Sequence, residues 1–254
     1  MSHAKTNFPP QTFITFDKMK FFGIQKLTLL DFPGRVAATV FTGGCNFRCP
    51  FCHNSSLVVN PADTETVEEE EILSFLKKRR GILDGVCVTG GEPLLQPGIE
   101  NFIKKVKQLG FDVKLDTNGS FPDKLERFVN TGLVSYVAMD IKNSPESYGK
   151  TIGVDDFDTH EIEQSADFLL SNKNTIPFEF RTTVVKELHT ERDMQLIGER
   201  FAGAENYYLQ GFVDSRDVIQ TGLHACSISE MKRFREILAK YMGKVHIRGM
   251  NIEN

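Results

Sequence analysis

The 254-residue sequence lacks three features that would quickly assign it to a class of protein. Its 30 basic residues stand against 34 acidic ones and leave a net charge of −4, so neither a general nucleic-acid binder nor a nucleic-acid partner is predicted. No run approaches the roughly 18 apolar residues of a membrane span, and we expect no membrane association. The first 22 residues lack the basic region and apolar run of a secretory signal, so a cytoplasmic location is expected.

Cysteine is scarce and odd in number, with five residues of which Cys87 and Cys226 stand alone. An odd count argues against a disulfide framework and favours metal or redox chemistry. The other three lie within FTGGCNFRCPFCHN, residues 41–54, as Cys45-x3-Cys49-x2-Cys52. This stretch directly follows a predicted strand, so its thiols should lie together at one strand end.

Several chemistries fit three such cysteines. A redox pair leaves Cys45 unexplained, and a structural zinc site wants four ligands where the nearest fourth candidate is His53, adjacent to Cys52. The stretch CPFCH, residues 49–53, matches a c-type haem attachment pattern, but such haem belongs to exported proteins. Three thiolates can instead bind three irons of a 4Fe–4S cluster and leave the fourth iron for a substrate or cofactor. We favour the cluster, with zinc and haem as alternatives.

Strand-like runs and amphipathic helices alternate along the chain, which is typical of parallel βαβ units. The predicted strands are 35–41, 85–89, 112–117, 136–142, 178–185, 206–212 and 244–248. Helices fall between them, and Thr66 with Glu69 predicts a capping box at the first. We expect a single domain over residues 23–254, preceded by a loosely attached lead-in over residues 1–22.

These strands are not apolar on both faces. In YVAMDIK, Val137 and Met139 share one face while Asp140 and Lys142 share the other, and DVKLDTN and FEFRTTV alternate in the same way. Because the crossover helices need the apolar face, the polar side chains should point into a lumen, towards the carboxyl ends of the strands. The alternative is an open sheet whose polar face meets water. The predicted fold is an α/β, partial or nearly full parallel (β/α) barrel of about six βα units.

Two motifs resemble those of the radical S-adenosylmethionine (SAM) enzymes. The spacing CxxxCxxC, with the aromatic Phe51 before the third cysteine, is their hallmark, and GGEP at residues 90–93 resembles the turn that holds the amino group of SAM. The resemblance narrows to the activating enzymes of glycyl-radical enzymes through DTNG (116–119) and DIK (140–142). Residues 23–54 are most similar to the activating proteins of anaerobic ribonucleoside-triphosphate reductase. The similarity extends to residue 249 and thins after Lys142.

The resemblance implies one 4Fe–4S cluster on Cys45, Cys49 and Cys52, with SAM on the fourth iron. The residues expected to bind SAM, the last two by strand position alone, are Phe51, Thr89, Gly90, Gly91, Glu92, Pro93, Asp116, Asn118, Asp140, Lys142, Arg181 and Gln210. For Asp116, Asp140 and Lys142 the alternative is a salt-bridge network that braces the barrel. His53 and Asn54 are candidates for the cavity edge, whereas Cys87 and Cys226 are expected in the core.

The resemblance also implies an activity and its partners. An electron from a flavodoxin or ferredoxin would drive cleavage of SAM, and a hydrogen atom would be taken from a glycine of a glycyl-radical enzyme. The expected partner is the large subunit of anaerobic ribonucleotide reductase. The alternatives are a radical SAM enzyme acting on a small molecule, as the 7-deazaguanine-forming enzymes do, and a non-enzymatic metal or haem protein.

Overall fold

The computed structural model describes residues 19–59, 64–215 and 217–250, which form one large sheet and one small sheet. The strands are β1 (Lys20–Phe21), β2 (Gly23–Thr28), β3 (Ala37–Thr42), β4 (Val67–Glu68), β5 (Gly85–Gly90), β6 (Asp112–Thr117), β7 (Tyr136–Asp140), β8 (Phe178–Val184), β9 (Asn206–Gly211) and β10 (Lys244–Arg248). The large sheet has eight strands in the order β10-β9-β8-β7-β6-β5-β3-β2. All its neighbouring pairs are parallel except β2 with β3.

Helices follow the parallel strands in sequence. They are α1 (Ser55–Val59), α2 (Glu69–Lys78), α3 (Ile99–Gln108), α4 (Pro122–Asn130), α5 (Tyr148–Ile152), α6 (His160–Ser171), α7 (Glu191–Arg200) and α8 (Ile228–Leu238). At least one helix thus follows each of the six strands β3, β5, β6, β7, β8 and β9, which gives six βα units. Among the described residues no helix is long and apolar enough to cross a bilayer. The partial parallel barrel predicted from the sequence is confirmed.

The two faces of the sheet differ as the alternation predicts. Val137 and Met139 of β7 are completely buried in the hydrophobic core. On the opposite face Lys114 is only 2% exposed and the side chain of Arg181 is 13% exposed, and both are ion-paired within the sheet's interior. A face open to water would leave such groups solvated, so the polar face lines a lumen and the open-sheet alternative is wrong.

The chain before β2 contributes to the fold where it is described. Strand β1 pairs antiparallel with β4, and Phe21 is completely buried with its ring 4.4 Å from that of Phe102 in α3. Residues 1–18 of the predicted lead-in lie outside the described residues. The described end of the lead-in, residues 19–22, therefore packs against the rest of the fold.

The predicted capping box of Thr66 and Glu69 is wrong. Helix α2 begins at Glu69 itself, and the preceding Glu68 makes no side-chain cap. Glu69 instead forms an ion pair with Lys105 of α3 at 2.5 Å. Pairing of Val67–Glu68 with β1 keeps these two residues extended, which delays the start of the helix.

Candidate active site

A cavity of about 260 Å³ opens at the carboxyl ends of the parallel strands. Its lining includes the three cysteines of the motif and nearly all residues expected to contact SAM. Those residues are Cys45, Cys49, Cys52, Phe51, Thr89, Gly90, Gly91, Glu92, Asp116, Asn118, Asp140, Lys142, Arg181 and Gln210. Of the predicted set only Pro93 does not line it, because this residue is buried and begins a 3-10 turn, Pro93–Leu95.

The loop between β3 and α1 carries the three cysteines and is held by the protein itself. The Arg48 guanidinium donates to the carbonyl oxygens of Cys45 at 2.6 Å and Phe47 at 2.8 Å. The Phe47 ring is 1% exposed and packs edge-on against Phe157 at 5.4 Å between ring centres. The Arg48 backbone N–H also donates to the carbonyl of Ile152 in α5 at 2.8 Å. These contacts hold the loop at the rim of the cavity.

The thiols of this loop are poor nucleophiles by themselves. Burial raises the pKa of Cys45 to about 12 and that of Cys49 to about 11, although Lys142 lowers the pKa of Cys49 in part. Because the thiolate is the reactive form of cysteine, this environment does not favour a redox dithiol. A metal group brings the positive charge that deprotonates coordinating thiols.

The donor set fits an iron–sulfur cluster better than a single ion. Within the described ranges no three His, Cys, Asp or Glu side chains are grouped so as to hold one metal ion. Three thiols line the cavity, and a cubane cluster with one open iron takes three cysteine ligands. These ligands lie farther apart than those of a single ion, because a cluster is larger than an ion. His53 does not complete a four-ligand site, since its Nε2–H donates to the Val213 carbonyl oxygen at 2.7 Å.

The GGEP turn after β5 is packed directly onto the cysteine loop. The N–H groups of Gly91 and Glu92 donate to the carbonyl oxygens of Thr42 at 2.8 Å and Gly44 at 2.9 Å. Gly90 has a φ of +113°, and a Cβ at Gly91 would overlap the Gly44 carbonyl. Glycine is therefore needed at both positions for the two loops to approach each other.

The Glu92 carboxylate is enclosed within the protein. Oε1 accepts from the Leu94 N–H at 3.0 Å and the Thr117 hydroxyl at 2.9 Å, and Oε2 accepts from the Asn118 N–H at 2.7 Å. Burial raises the pKa of Glu92 to about 7, against the opposing effect of these donors. The Glu92 carboxylate, which was expected to bind SAM, therefore already accepts hydrogen bonds from the protein, two of them from Thr117 and Asn118 at the end of β6.

Five charged side chains of alternating sign cross strands β6 to β8 and the start of the loop after β7, and we call them the charge ladder: Lys114, Asp116, Arg181, Asp140 and Lys142. Arg181 donates from Nε to Asp140 at 2.8 Å and from a terminal nitrogen to Asp116 at 3.1 Å. Lys142 Nζ donates to the other oxygen of Asp140 at 2.9 Å. All but Lys114 line the cavity, so the ladder both braces the barrel and forms the cavity wall.

The ladder keeps its members charged. Burial alone would raise the pKa of Asp140, but Arg181 and Lys142 lower it to about 2. Burial would likewise lower the pKa of Lys142, and Asp140 raises it above its ordinary value. Since Lys142 also lowers the pKa of Cys49, its positive charge acts on the cysteine loop.

The minor candidates take distinct places. His53 stacks on Phe212 at 5.5 Å and Asn54 donates to the Gly90 carbonyl oxygen at 2.8 Å, both at the cavity edge. Cys87 is completely buried beneath the ladder, 3.7 Å from Asp116, and Cys226 is 4% exposed in the core. Neither of these two cysteines lines the cavity.

Several residues of the site were not among the site residues predicted from the sequence. Phe47, Val58, Thr117 and Thr183 also line the cavity. Behind it, His189 is 3% exposed, donates from Nε2 to the Lys142 carbonyl oxygen at 2.9 Å and accepts at Nδ1 from the Val185 N–H at 3.1 Å. Burial lowers the pKa of this histidine, which favours the neutral form, and both ring nitrogens are hydrogen-bonded, so His189 supports the loop after β7.

The chain is similar in sequence to known proteins. The profile of the radical SAM superfamily matches residues 39–171, about half of the chain. A Methanocaldococcus jannaschii protein that carries the provisional name of a glycyl-radical enzyme activating enzyme is 32% identical over 235 residues, which cover 90% of this chain and 95% of that protein. The pyruvate formate-lyase-activating enzyme of Clostridium pasteurianum is 34% identical over 146 residues, 53% of this chain and 59% of the enzyme.

Similarity of fold extends further than similarity of sequence. The crystal structure of a radical SAM methyltransferase from Sphaerobacter thermophilus superposes with a TM-score of 0.66 over 89% of this chain and 70% of that one, at 13% identity. An open parallel barrel with a three-cysteine loop at its mouth defines a radical SAM enzyme. The chain belongs to the radical SAM superfamily and, within it, to the glycyl-radical enzyme activating enzymes.

Family membership confirms several predictions made from the motifs. The protein is an oxidoreductase whose cofactors are a 4Fe–4S cluster and SAM, and its family acts on glycyl-radical enzymes. The non-enzymatic alternative is thereby excluded. The residues that hold these cofactors, the electron donor, the particular partner and the cytoplasmic location stay predictions.

Proposed function

We propose that this enzyme activates anaerobic ribonucleoside-triphosphate reductase by generating a glycyl radical on its large subunit. The observation that carries the proposal is the meeting of the cysteine loop, the GGEP turn and the charge ladder in one cavity. The likeness of residues 23–54 to activating proteins of that reductase selects the partner. When bound, the cluster and SAM supply a one-electron cleavage that ends in methionine, 5′-deoxyadenosine and a hydrogen atom removed from a glycine Cα.

Cys45, Cys49 and Cys52 would hold three irons of the cluster. Arg48 and Phe47 fix the loop so that all three thiols line the cavity. The GGEP turn and the ladder line the same cavity, so the residues proposed for SAM lie beside the residues that would hold the cluster. Flavodoxin or ferredoxin would supply the electron.

SAM would lie between the GGEP turn and the ladder. Lys142 and Arg181 bring positive charge to the cavity, while Asp116 and Asp140 offer acceptors for ammonium and hydroxyl groups. Because the ladder pairs each charge with an opposite one, binding costs no creation of an isolated buried charge. Thr183 and Gln210 extend the polar wall towards the open side of the barrel.

The partner would present its glycine at the mouth of the cavity. A glycine has no side chain to obstruct close approach, and a radical at its Cα is delocalised over two flanking amides. A peptide loop can therefore bring its backbone to a cavity at the carboxyl ends of the strands without a side chain in the way.

The test is an anoxic reaction of the reduced, cluster-loaded enzyme with SAM and the anaerobic reductase of the same organism. We expect the doublet of a glycyl radical by electron paramagnetic resonance (EPR), together with nucleotide reduction, and neither with Cys49→Ala. Flavodoxin, ferredoxin and dithionite are compared as electron sources, and dithionite separates failure of the donor from failure of the target.

Two further reactions identify the alternatives. A pyruvate formate-lyase is offered in place of the reductase, because activating enzymes of that protein are also relatives. A precursor of 7-deazaguanine is offered as a small-molecule substrate. A radical on the lyase alone, or cleavage of SAM that modifies only the small molecule, would contradict the proposed partner and leave the radical SAM chemistry intact.

A further inference from the structure

Glu92 connects three loops at the mouth of the barrel through separate parts of the residue. Its backbone N–H donates to the carbonyl of Gly44, directly before Cys45, at 2.9 Å. Its carboxylate accepts from the backbone N–H of Asn118 at 2.7 Å and from Thr117 at 2.9 Å. The GGEP turn, the cysteine loop and the loop after β6 therefore meet at one residue.

The side chain of Asn118 also contacts the cysteine loop. Its side-chain nitrogen lies 3.8 Å from Cys45 Sγ and donates to Asn46 Oδ1 at 2.9 Å. Asn46 in turn donates to the hydroxyl of Ser120 at 2.8 Å, in the same loop as Asn118. Glu92 is therefore connected to Cys45 by two routes, through Gly44 and through Asn118.

We propose that Glu92 is a positioning residue that sets the Cys45 thiol relative to the GGEP turn through Asn118, and that it is not a ligand of SAM. A carboxylate offers about four acceptor positions, and three of those on Glu92 are filled by protein donors. The residue borders the cavity but is only 1% exposed, so little of its surface is open to a ligand. The proposal rests on the cluster site of the proposed function and is independent of the partner.

The test compares Glu92→Gln with Glu179→Gln. Glu179 is an equally buried carboxylate, 1% exposed, which accepts from Tyr136 at 2.9 Å and Arg248 at 3.0 Å in the same barrel but does not line the cavity. Glutamine has nearly the same size as glutamate, but one of its two polar atoms is an NH₂ group, which donates. At Glu92 this group would face a protein donor in place of an accepting oxygen, so at least one hydrogen bond is lost. Three readouts are taken on each reconstituted protein: iron and sulfide content, the EPR spectrum of the reduced cluster without SAM, and the affinity for SAM.

We expect Glu92→Gln to retain iron but to alter the EPR spectrum in the absence of SAM. SAM binding should weaken by about tenfold, the lower end of the effect that changes behind metal ligands have on activity. Glu179→Gln should match the wild type in both spectrum and affinity. A wild-type spectrum with lost SAM affinity in Glu92→Gln would make Glu92 a direct ligand and overturn the proposal. Equal changes in both variants would also overturn it, because they would report general destabilisation.

Thr117→Val provides a milder variant in case Glu92→Gln does not fold. It removes only the hydroxyl that donates to Glu92 and that accepts from the Gly119 N–H at 3.1 Å. The same spectral change at smaller amplitude is expected, and an unchanged spectrum with unchanged affinity contradicts the positioning role. No reductase enters these measurements, so failure of the proposed partner leaves their outcome unaffected, whereas a wild type without a cluster would refute the cluster site itself.

Discussion

Arg181 should be the most costly single residue to remove from the charge ladder. The substitution Arg181→Met keeps the aliphatic length but deletes the hydrogen bonds to Asp140 at 2.8 Å and Asp116 at 3.1 Å. Each carboxylate then has one lysine as its only ion-pair partner in the ladder. Removing one member of a buried ion pair typically costs about 3 to 5 kcal/mol.

That loss corresponds to a fall in melting temperature of roughly 6 to 20 °C for a chain of this size. The matched control is Arg192→Met, because Arg192 pairs with Glu146 at 3.2 Å while its side chain is 74% exposed. Exposed pairs contribute about 0 to 1 kcal/mol, so this variant should unfold nearly as the wild type does. The assay is urea unfolding of the cluster-free proteins under anoxic conditions. If Arg181→Met lowers the free energy of unfolding by less than about 1 kcal/mol, the reasoning is refuted.

The pH dependence of the same experiment has a defined sign. The pKa of Asp140 is lowered from its ordinary value of 3.8 to about 2 in the folded protein, so its contribution to stability is fully present above the higher value and lost as the pH falls through the lower one. The difference between wild type and Arg181→Met should therefore stay constant between about pH 5 and 7 and shrink below about pH 4. A difference that grew on acidification would contradict the ladder as the cause.

Two further predictions concern the cofactors. Cys45→Ala should lose stable cluster iron and SAM cleavage, whereas Cys87→Ala should retain both, because Cys87 is buried away from the cavity; iron and sulfide analysis with product quantification checks this. Equal iron in the two variants would remove Cys45 from the ligand set. Lys142→Met should weaken SAM binding about tenfold to a hundredfold through loss of a charge-assisted hydrogen bond, measured by calorimetry. The control is Lys104→Met, because the Lys104 side chain lies half-exposed on α3. An affinity unchanged in Lys142→Met would leave this lysine with a bracing role only.

Local sequence patterns predicted a large part of this structure. The alternation in YVAMDIK placed Asp140 and Lys142 on the lumen face, because side chains in a strand alternate between two faces whatever surrounds them. The CxxxCxxC and GGEP motifs were each expected at a strand end, and β3 and β5 end at or next to them. Such features depend on neighbours within a few residues, which the sequence contains explicitly.

Features that depend on distant partners were not predicted. The Thr66 and Glu69 pattern indicated a capping box, but pairing of Val67–Glu68 with β1 and the ion pair of Glu69 with Lys105 moved the helix start. The antiparallel edge strand β2 was likewise absent from the predicted strands. At the capping box, contacts between remote segments outweighed a local preference of about 1 kcal/mol. Strand β2 is defined by its pairing with β3.

By itself, the sequence determined the class of chemistry: three cysteines at cluster spacing, a glycine turn one βα unit later, and a barrel whose strands carry polar groups on one face. Only the tertiary structure decided how those groups divide their roles. It turned the Glu92 carboxylate towards Asn118 and joined Asp116 and Asp140 through Arg181. The reason is physical: a buried charge must find its partners in space, and those partners lie 26 to 65 residues away in the chain.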